Sequence, residues 1–378
     1  MGQIARLTLA AALAAVTLLA QVPGRQKRIV GDAEVMRVHR SAILIDTHND
    51  IPSDTVAGLD IGKPNTDHMT DLPRMKRGGM GAQFFAVYVA PTYVEGNHAA
   101  NRALQMIDTV RHDIIEKYPN DFVFATAAAD IRRAHKQHKI AALLGLEGGH
   151  AIEDSLRLLR RYYDEGVRYM TLTHTNSNHW ADSSGDPNQP NHGLSPLGKE
   201  VVGEMNRLGM MVDISHVSDK TFWDALEASK APILASHSSC RAISPAPRNM
   251  TDEMIAALAK KGGVVQINFS CDFLNAEVLK AEAAGGAPTA TKPRATLADV
   301  VQHIDHVVAI GGIGAVGLGS DFDGISCAPM DLDGVDKWPN LTRALLEEGY
   351  TAAEIRKIYG ENTLRLMAEV ERVARSMR

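Results

Sequence analysis

The chain has 378 residues, of which 45% are hydrophobic and 22% charged, with a formal net charge of −5. That is an ordinary soluble composition with material for a large core, and its weakly acidic balance gives no electrostatic reason to expect nucleic acid as a partner. The length would accommodate two average domains, but barrels of the α/β type run this long as one.

The N-terminus differs from the rest. In "MGQIARLTLAAALAAVTLLAQVPG" a single arginine, Arg6, precedes an apolar run from Leu7 to Ala20. The run is too short for a membrane span and has no polar face, so it reads as a signal-peptide core, with residues 1–20 removed on export to the periplasm or outside the cell. Residues 21–35 are then a lead-in, and residues 36–378 are expected to form one catalytic domain with no transmembrane span. The C-terminal "AEVERVARSMR" reads as a charged helix, without the apolar tail that a lipid-anchor signal needs.

Eight apolar, β-branched segments follow in chain order: residues 42–48, 80–89, 140–149, 167–174, 210–216, 231–237, 262–270 and 314–321. Each is short and continuous, as expected of a strand buried on both faces. Between them lie segments of helical period, such as "NRALQMIDTVRHDIIEKY", "LGKEVVGEMNRLG" and "TLADVVQHIDHVVAIGG". Strand alternating with helix eight times is the pattern of a parallel (β/α)₈ barrel, the TIM-barrel class. Gly166, Gly209 and Gly262 stand where left-handed caps would turn helices into the next strands. Two stretches break the rhythm: a turn-rich loop at 181–196, and an Ala, Gly, Pro and Thr-rich insertion at 275–297 expected to be a mobile loop. The three cysteines, Cys240, Cys271 and Cys327, are widely spaced and form no Cys-x-x-Cys pair. Neither a thiolate metal site nor a disulfide framework is indicated, and the expectation is that no bridge forms.

Polar groups recur at the strand ends. His48 and Asp50 follow the first strand, Glu147 the third, His174 the fourth, His216 the fifth, His237 the sixth and Asp321 the eighth. Each alone has a bland explanation, since a lone histidine is usually a hydrogen-bonded structural residue and an aspartate often caps a turn. In this barrel, however, the C-terminal strand ends converge on one mouth. A buried group of imidazoles and carboxylates needs a positive charge, and a metal supplies it.

Imidazole with carboxylate and no thiolate suits Zn²⁺ best, with Mn²⁺ or Co²⁺ as possible substitutes. His48, Asp50, His216 and His237 supply two ligands per metal, and Glu147 can bridge. Two metals roughly 3.5–4 Å apart would share a water as hydroxide. His174 is left to stabilise an oxyanion, Asp321 to move a proton, and Arg248, in "SPAPRNM" after the sixth strand, to hold a substrate carboxylate. The plainer reading of Arg248 is an exposed loop arginine.

With these residues in view, the chain resembles the renal (membrane) dipeptidase family, a branch of the amidohydrolase superfamily, from about residue 36 to the C-terminus. The resemblance is carried by "IDTHNDIP", "LEGGH", "YMTLTHTNSNHWADS", "VDISHVSD", "ASHSSCRAISPAPRNM" and "GLGSDFDG". It implies that His48 and Asp50 bind one zinc and His216 and His237 the second, with Glu147 bridging. It likewise gives His174 the binding and polarising of the substrate carbonyl, Arg248 the substrate carboxylate and Asp321 the proton transfer, and it suggests a homodimer. The lipid anchor and disulfides of the mammalian relatives are not evident, and the loop around Trp180 differs from the family's usual run. The expected protein is a binuclear zinc dipeptidase that tolerates a D-residue at the C-terminal position of its substrate. The alternatives are a related hydrolase of N-acyl amino acids or lactams, and a metal-binding barrel without catalysis.

Overall fold

The computed structural model describes residues 25–285 and 293–377. The proposed signal segment lies outside the described residues, as do 286–292 of the insertion.

Among the described residues nine strands form one parallel sheet: β1 (Leu44–Asn49), β2 (Met80–Tyr88), β3 (Phe122–Phe124), β4 (Ile140–Glu147), β5 (Val167–Thr171), β6 (Met211–Asp213), β7 (Leu234–Ser238), β8 (Val264–Ile267) and β9 (Val316–Leu318). Eight of them run in the order β1-β2-β4-β5-β6-β7-β8-β9. The last strand comes back to the first through a parallel bridge between Asn49 and Phe322, where Asp50 N donates to Phe322 O at 2.9 Å and Asp321 N to His48 O at 3.1 Å. This is the expected barrel.

The additional strand, β3, pairs with Ile140–Ala142 of β4, before β5 takes up pairing from Leu144. Three residues long, it carries no period that a sequence reading can detect. The observed strands are also shorter than their apolar segments. His174, His216 and Asp321 each lie three residues beyond the end of their strand, on loop backbone that can turn inward.

Alternate strand residues, among them Ile45, Phe84, Leu143, Tyr169, Met211, Leu234 and Val264, fill the barrel interior. They pack with Leu364, Leu366 and Met367 of the C-terminal helix Asn362–Ser376. That helix lies under the starts of the strands: Arg365 donates to Gly262 O and Gly314 O, just before β8 and β9. One end of the barrel is therefore plugged with apolar side chains, and the polar strand ends gather at the other. Gly166, Gly209 and Gly262 do take left-handed φ angles of 104°, 92° and 81°, which L side chains adopt only with strain.

Two expectations are corrected. Cys271 and Cys327 form a disulfide across 56 residues of sequence, leaving Cys240 as a buried free thiol. They come together because Cys271 starts the short helix Cys271–Leu274 after β8 and Cys327 sits in the loop after β9, neighbours at the barrel mouth. The first part of the 275–297 insertion is not a loop but a helix, Ala276–Ala283, capped by Asn275, whose side chain accepts from Glu277 N and Val278 N. Among the described residues no helix is long and apolar enough to cross a membrane.

Candidate metal and substrate site

Seven of the eight residues singled out from the sequence, Glu147 at the end of β4 among them, meet in one cluster, and the eighth, Arg248, lines the cavity beside it. Glu147 is buried and its two oxygens face different partners. Oε1 lies 3.0 Å from His216 Nε2, 3.3 Å from His237 Nε2 and 3.8 Å from His174 Nε2. Oε2 lies 3.4 Å from His48 Nε2, which is also 3.2 Å from Asp50 Oδ2 and 4.0 Å from Asp321 Oδ1. Donor atoms of three overlapping sets fall within 4.8 Å of one another: His48, Glu147 and His237; Glu147, His174 and His216; and His48, Asp50 and Asp321.

The backbone is bent to reach this arrangement. His216 and Asp321 take left-handed φ angles of 66° and 63°, uncommon for residues with a Cβ and often found where strain serves a site. Asp321 is further held by Asn268, which donates Nδ2–H to Asp321 Oδ2 at 2.7 Å while its own Oδ1 accepts from Ser270 N.

The electrostatics of the bare side chains fit a cation. Burial opposes a charge on His48, yet Tyr169, Glu147 and Asp50 outweigh it and hold the imidazole protonated well above its usual range. Burial likewise works against an ionised Glu147, but His48, His174 and the adjoining His216 and His237 keep its carboxyl well below the usual carboxylate range. His216 and His237 are pushed the other way, toward neutral imidazole, chiefly by burial and then by nearby positive groups. Neutral imidazoles and ionised carboxylates are the forms that bind metal. His48 Nε2 is moreover buried without a hydrogen-bond partner, facing carboxylate oxygens. A divalent ion would supply the charge that the His48 proton otherwise provides, so the donor set fits one.

The cavity above has a volume of about 480 Å³ and includes Tyr88, His174, Arg248, Asp272, Phe273, Asp321 and Ile325 in its lining. Arg248 is not the exposed loop arginine of the plainer reading. Its Nη2 donates to His237 O at 3.0 Å, while Nε and Nη1 are buried without partners. Burial makes its charge less favourable, and Asp321 and Glu147 act against that effect. Unpaired guanidinium donors beside a cavity suit an anionic group such as a carboxylate. Asp321 is pushed well above the usual carboxylate range, first by burial and then by Asp50 and Glu147, against the opposing pull of His48 and Asn268.

Tyr88 and Asn268 were not singled out from the sequence. They stand at the ends of the two strands passed over there, Tyr88 closing β2 and Asn268 following β8. The strand-end rule applied to all eight strands would have found both.

A model of the membrane dipeptidase family (Peptidase family M19) matches residues 32–378. Among solved structures the chain is similar to the probable dipeptidase PvdM from Pseudomonas aeruginosa, with a TM-score of 0.82 and 25% identity over 91% of this chain and 99% of that one. It is also similar to dipeptidase AC, a metallo peptidase, with a TM-score of 0.78 and 28% identity, covering 87% of this chain and 98% of that one. A metallo peptidase from Rhodobacter sphaeroides, liganded with a phosphinate mimic of the dipeptide L-Ala-D-Ala, has a TM-score of 0.76 and 28% identity, covering 87% of this chain and 99% of that one.

Proposed function

This chain belongs to the membrane dipeptidase family and is a metal-dependent peptide hydrolase, and on that premise we propose that it is a binuclear zinc dipeptidase accepting a D-residue at the C-terminal position. The observation that carries this reading is the division of Glu147: one oxygen faces His216 and His237, the other His48, with Asp50 close by. His48 and Asp50 would hold one ion, His216 and His237 the other, and Glu147 would bridge. Imidazole with carboxylate and no thiolate favours zinc. The D-residue is supported by the L-Ala-D-Ala mimic bound in the Rhodobacter sphaeroides relative.

When bound, two such ions polarise the scissile carbonyl and acidify a water. The protein's own groups do the rest. Arg248 receives the substrate's terminal carboxylate on an unpaired guanidinium N–H, which orients the peptide bond over Glu147. His174 is held toward its neutral form, chiefly by burial, and its ring lies 4.4 Å from that of His216. Its Nε2–H donates to the carbonyl oxygen as negative charge develops there. Asp321, whose Oδ2 is tied to Asn268, accepts a proton from the attacking water on Oδ1 and returns it to the leaving amine nitrogen as the C–N bond breaks.

Turnover of a panel of L,L and L,D dipeptides beside N-acyl amino acids tests this. Cleavage of dipeptides with both C-terminal stereoisomers is expected. A preference for N-acyl amino acids would replace the dipeptidase reading with that of an acylase.

Export is proposed with it. The apolar run before residue 21 favours it, as does the Cys271–Cys327 bridge, since disulfides persist mainly outside the reducing cytosol. N-terminal sequencing of the protein from its native host should find the chain starting beyond Ala20.

A further inference from the structure

His48 and His237 each make a hydrogen bond on the ring nitrogen that faces away from the cavity. His48 Nδ1 lies 2.8 Å from Tyr169 Oη, and His237 Nδ1 lies 2.7 Å from Ser236 Oγ. A hydroxyl can donate or accept, so the tautomer depends on where its single proton goes. In both places that proton is already committed. Tyr169 Oη donates to Thr47 O at 3.0 Å, and a carbonyl cannot donate in return. Ser236 Oγ donates to Asp213 Oδ2 at 2.6 Å. Asp213 is a pure acceptor whose lone pairs are filled, Oδ1 by Ser215 N and Ser236 N and Oδ2 by Thr171 Oγ1 and Ser236 Oγ. Each hydroxyl oxygen therefore accepts from Nδ1–H, so that with a metal in place of the His48 proton each Nε2 offers a lone pair.

We infer that Tyr169 and the Asp213–Ser236 pair are positioning residues for the metal centre, locking His48 and His237 in the Nδ1–H tautomer so that both aim an Nε2 lone pair at Glu147's surroundings. This rests on the ligand assignment proposed above. The barrel is shaped to allow it. Tyr169 is wholly buried, and it stands opposite Gly145 in the pairing of β4 with β5. A Cβ on Gly145 would lie 2.0 Å from Tyr169 Cζ. The missing side chain lets the Tyr169 ring cross the interior from β5 to β1. Outer partners of this kind fix the orientation of a ligand imidazole and raise its basicity.

The test is zinc affinity, read by competition with a chelator of known strength on the full chain. Ser236→Ala, Asp213→Asn and Tyr169→Phe should each bind zinc about 10–100-fold more weakly. Ser236→Thr, which keeps the hydroxyl, should restore most of the loss. His48→Ala and His237→Ala serve as references that remove a ligand outright. If they lose zinc while Ser236→Ala and Tyr169→Phe keep wild-type affinity, the positioning inference is wrong and the ligand assignment stands. If they retain two full equivalents, the ligand assignment itself fails. Nitrogen-15 spectra of the zinc-loaded wild type need no folded variant of the outer residues. They should show Nδ1–H on both rings, and Nε2–H on either would overturn the inference.

Discussion

His216 Nε2 and His237 Nε2 lie 3.0 Å apart, and each is within 3.3 Å of the same oxygen of Glu147. Whichever tautomers the two imidazoles take, the three atoms are not all paired: either both nitrogens donate to Glu147 and face each other as donors, or one turns its lone pair toward an acceptor. A cation between them resolves the conflict. Because Glu147 also reaches His48 through its other oxygen, its loss should damage both proposed metal sites. Elemental analysis of Glu147→Ala should find well under two zinc equivalents per chain, whereas His237→Ala should empty mainly one site. Two full equivalents in Glu147→Ala would end the bridging assignment.

Asp321→Asn should retain the bond from Asn268, and asparagine tolerates the left-handed φ of this position. What it loses is the ability to accept a proton from water. Steady-state kinetics should show kcat lower by roughly 10²–10⁴ with KM little changed. A large rise in KM at constant kcat would make Asp321 a binding group instead.

Arg248 should fail in the opposite way. Arg248→Met removes the two unpaired donors, and kcat/KM for a dipeptide should fall about 10–100-fold, mainly through KM, as expected for lost hydrogen bonds to a charged group. A dipeptide amide lacks the carboxylate, so it should be a poor substrate for the wild type and lose little more in the variant. Equal losses for acid and amide would remove Arg248 from the clamp role.

The Cys271–Cys327 bridge ties the short helix carrying Phe273 to the loop carrying Ile325, two walls of the cavity. Thiol titration of the denatured, unreduced protein should count one free thiol, that of Cys240. The double variant Cys271→Ser/Cys327→Ser should be less stable by about 2–4 kcal/mol and should show a raised KM. Three titratable thiols in protein recovered under oxidising conditions would contradict the bridge.

Acid sensitivity is expected from a histidine away from the cavity. His303 is buried between Cys240 N, which donates to its Nδ1, and Leu274 O, which accepts from its Nε2. Burial lowers its pKa from 6.5 to about 4. The folded state then binds fewer protons than the unfolded chain, so His303's contribution is intact above the unfolded pKa and is lost progressively as pH falls from about 6.5 to about 4. Between pH 7 and pH 5 this costs about 2 kcal/mol. Urea unfolding at the two pH values should show a smaller loss for His303→Gln than for wild type. An identical loss would mean that His303 is free to protonate in the folded protein.

The sequence alone determined the barrel and which side chains would gather at its mouth. Both follow from order along the chain: apolar strands alternate with periodic helices, and in a parallel barrel every strand's C-terminal end points the same way, so a residue's place after its strand predicts its place in the site. His48, Glu147 and Asp321 could be recognised on that ground before any distance was known. Only the tertiary structure decided which groups touch. The Cys271–Cys327 bridge and the bond from His48 to Tyr169 join residues 56 and 121 positions apart, and no local period records such a meeting. Three-residue β3 is too short to show a period at all. The direction of each imidazole depended on something further still from the sequence, the commitment of a single hydroxyl proton, because hydrogen bonding in a buried site is settled only when every donor and acceptor around it is in place.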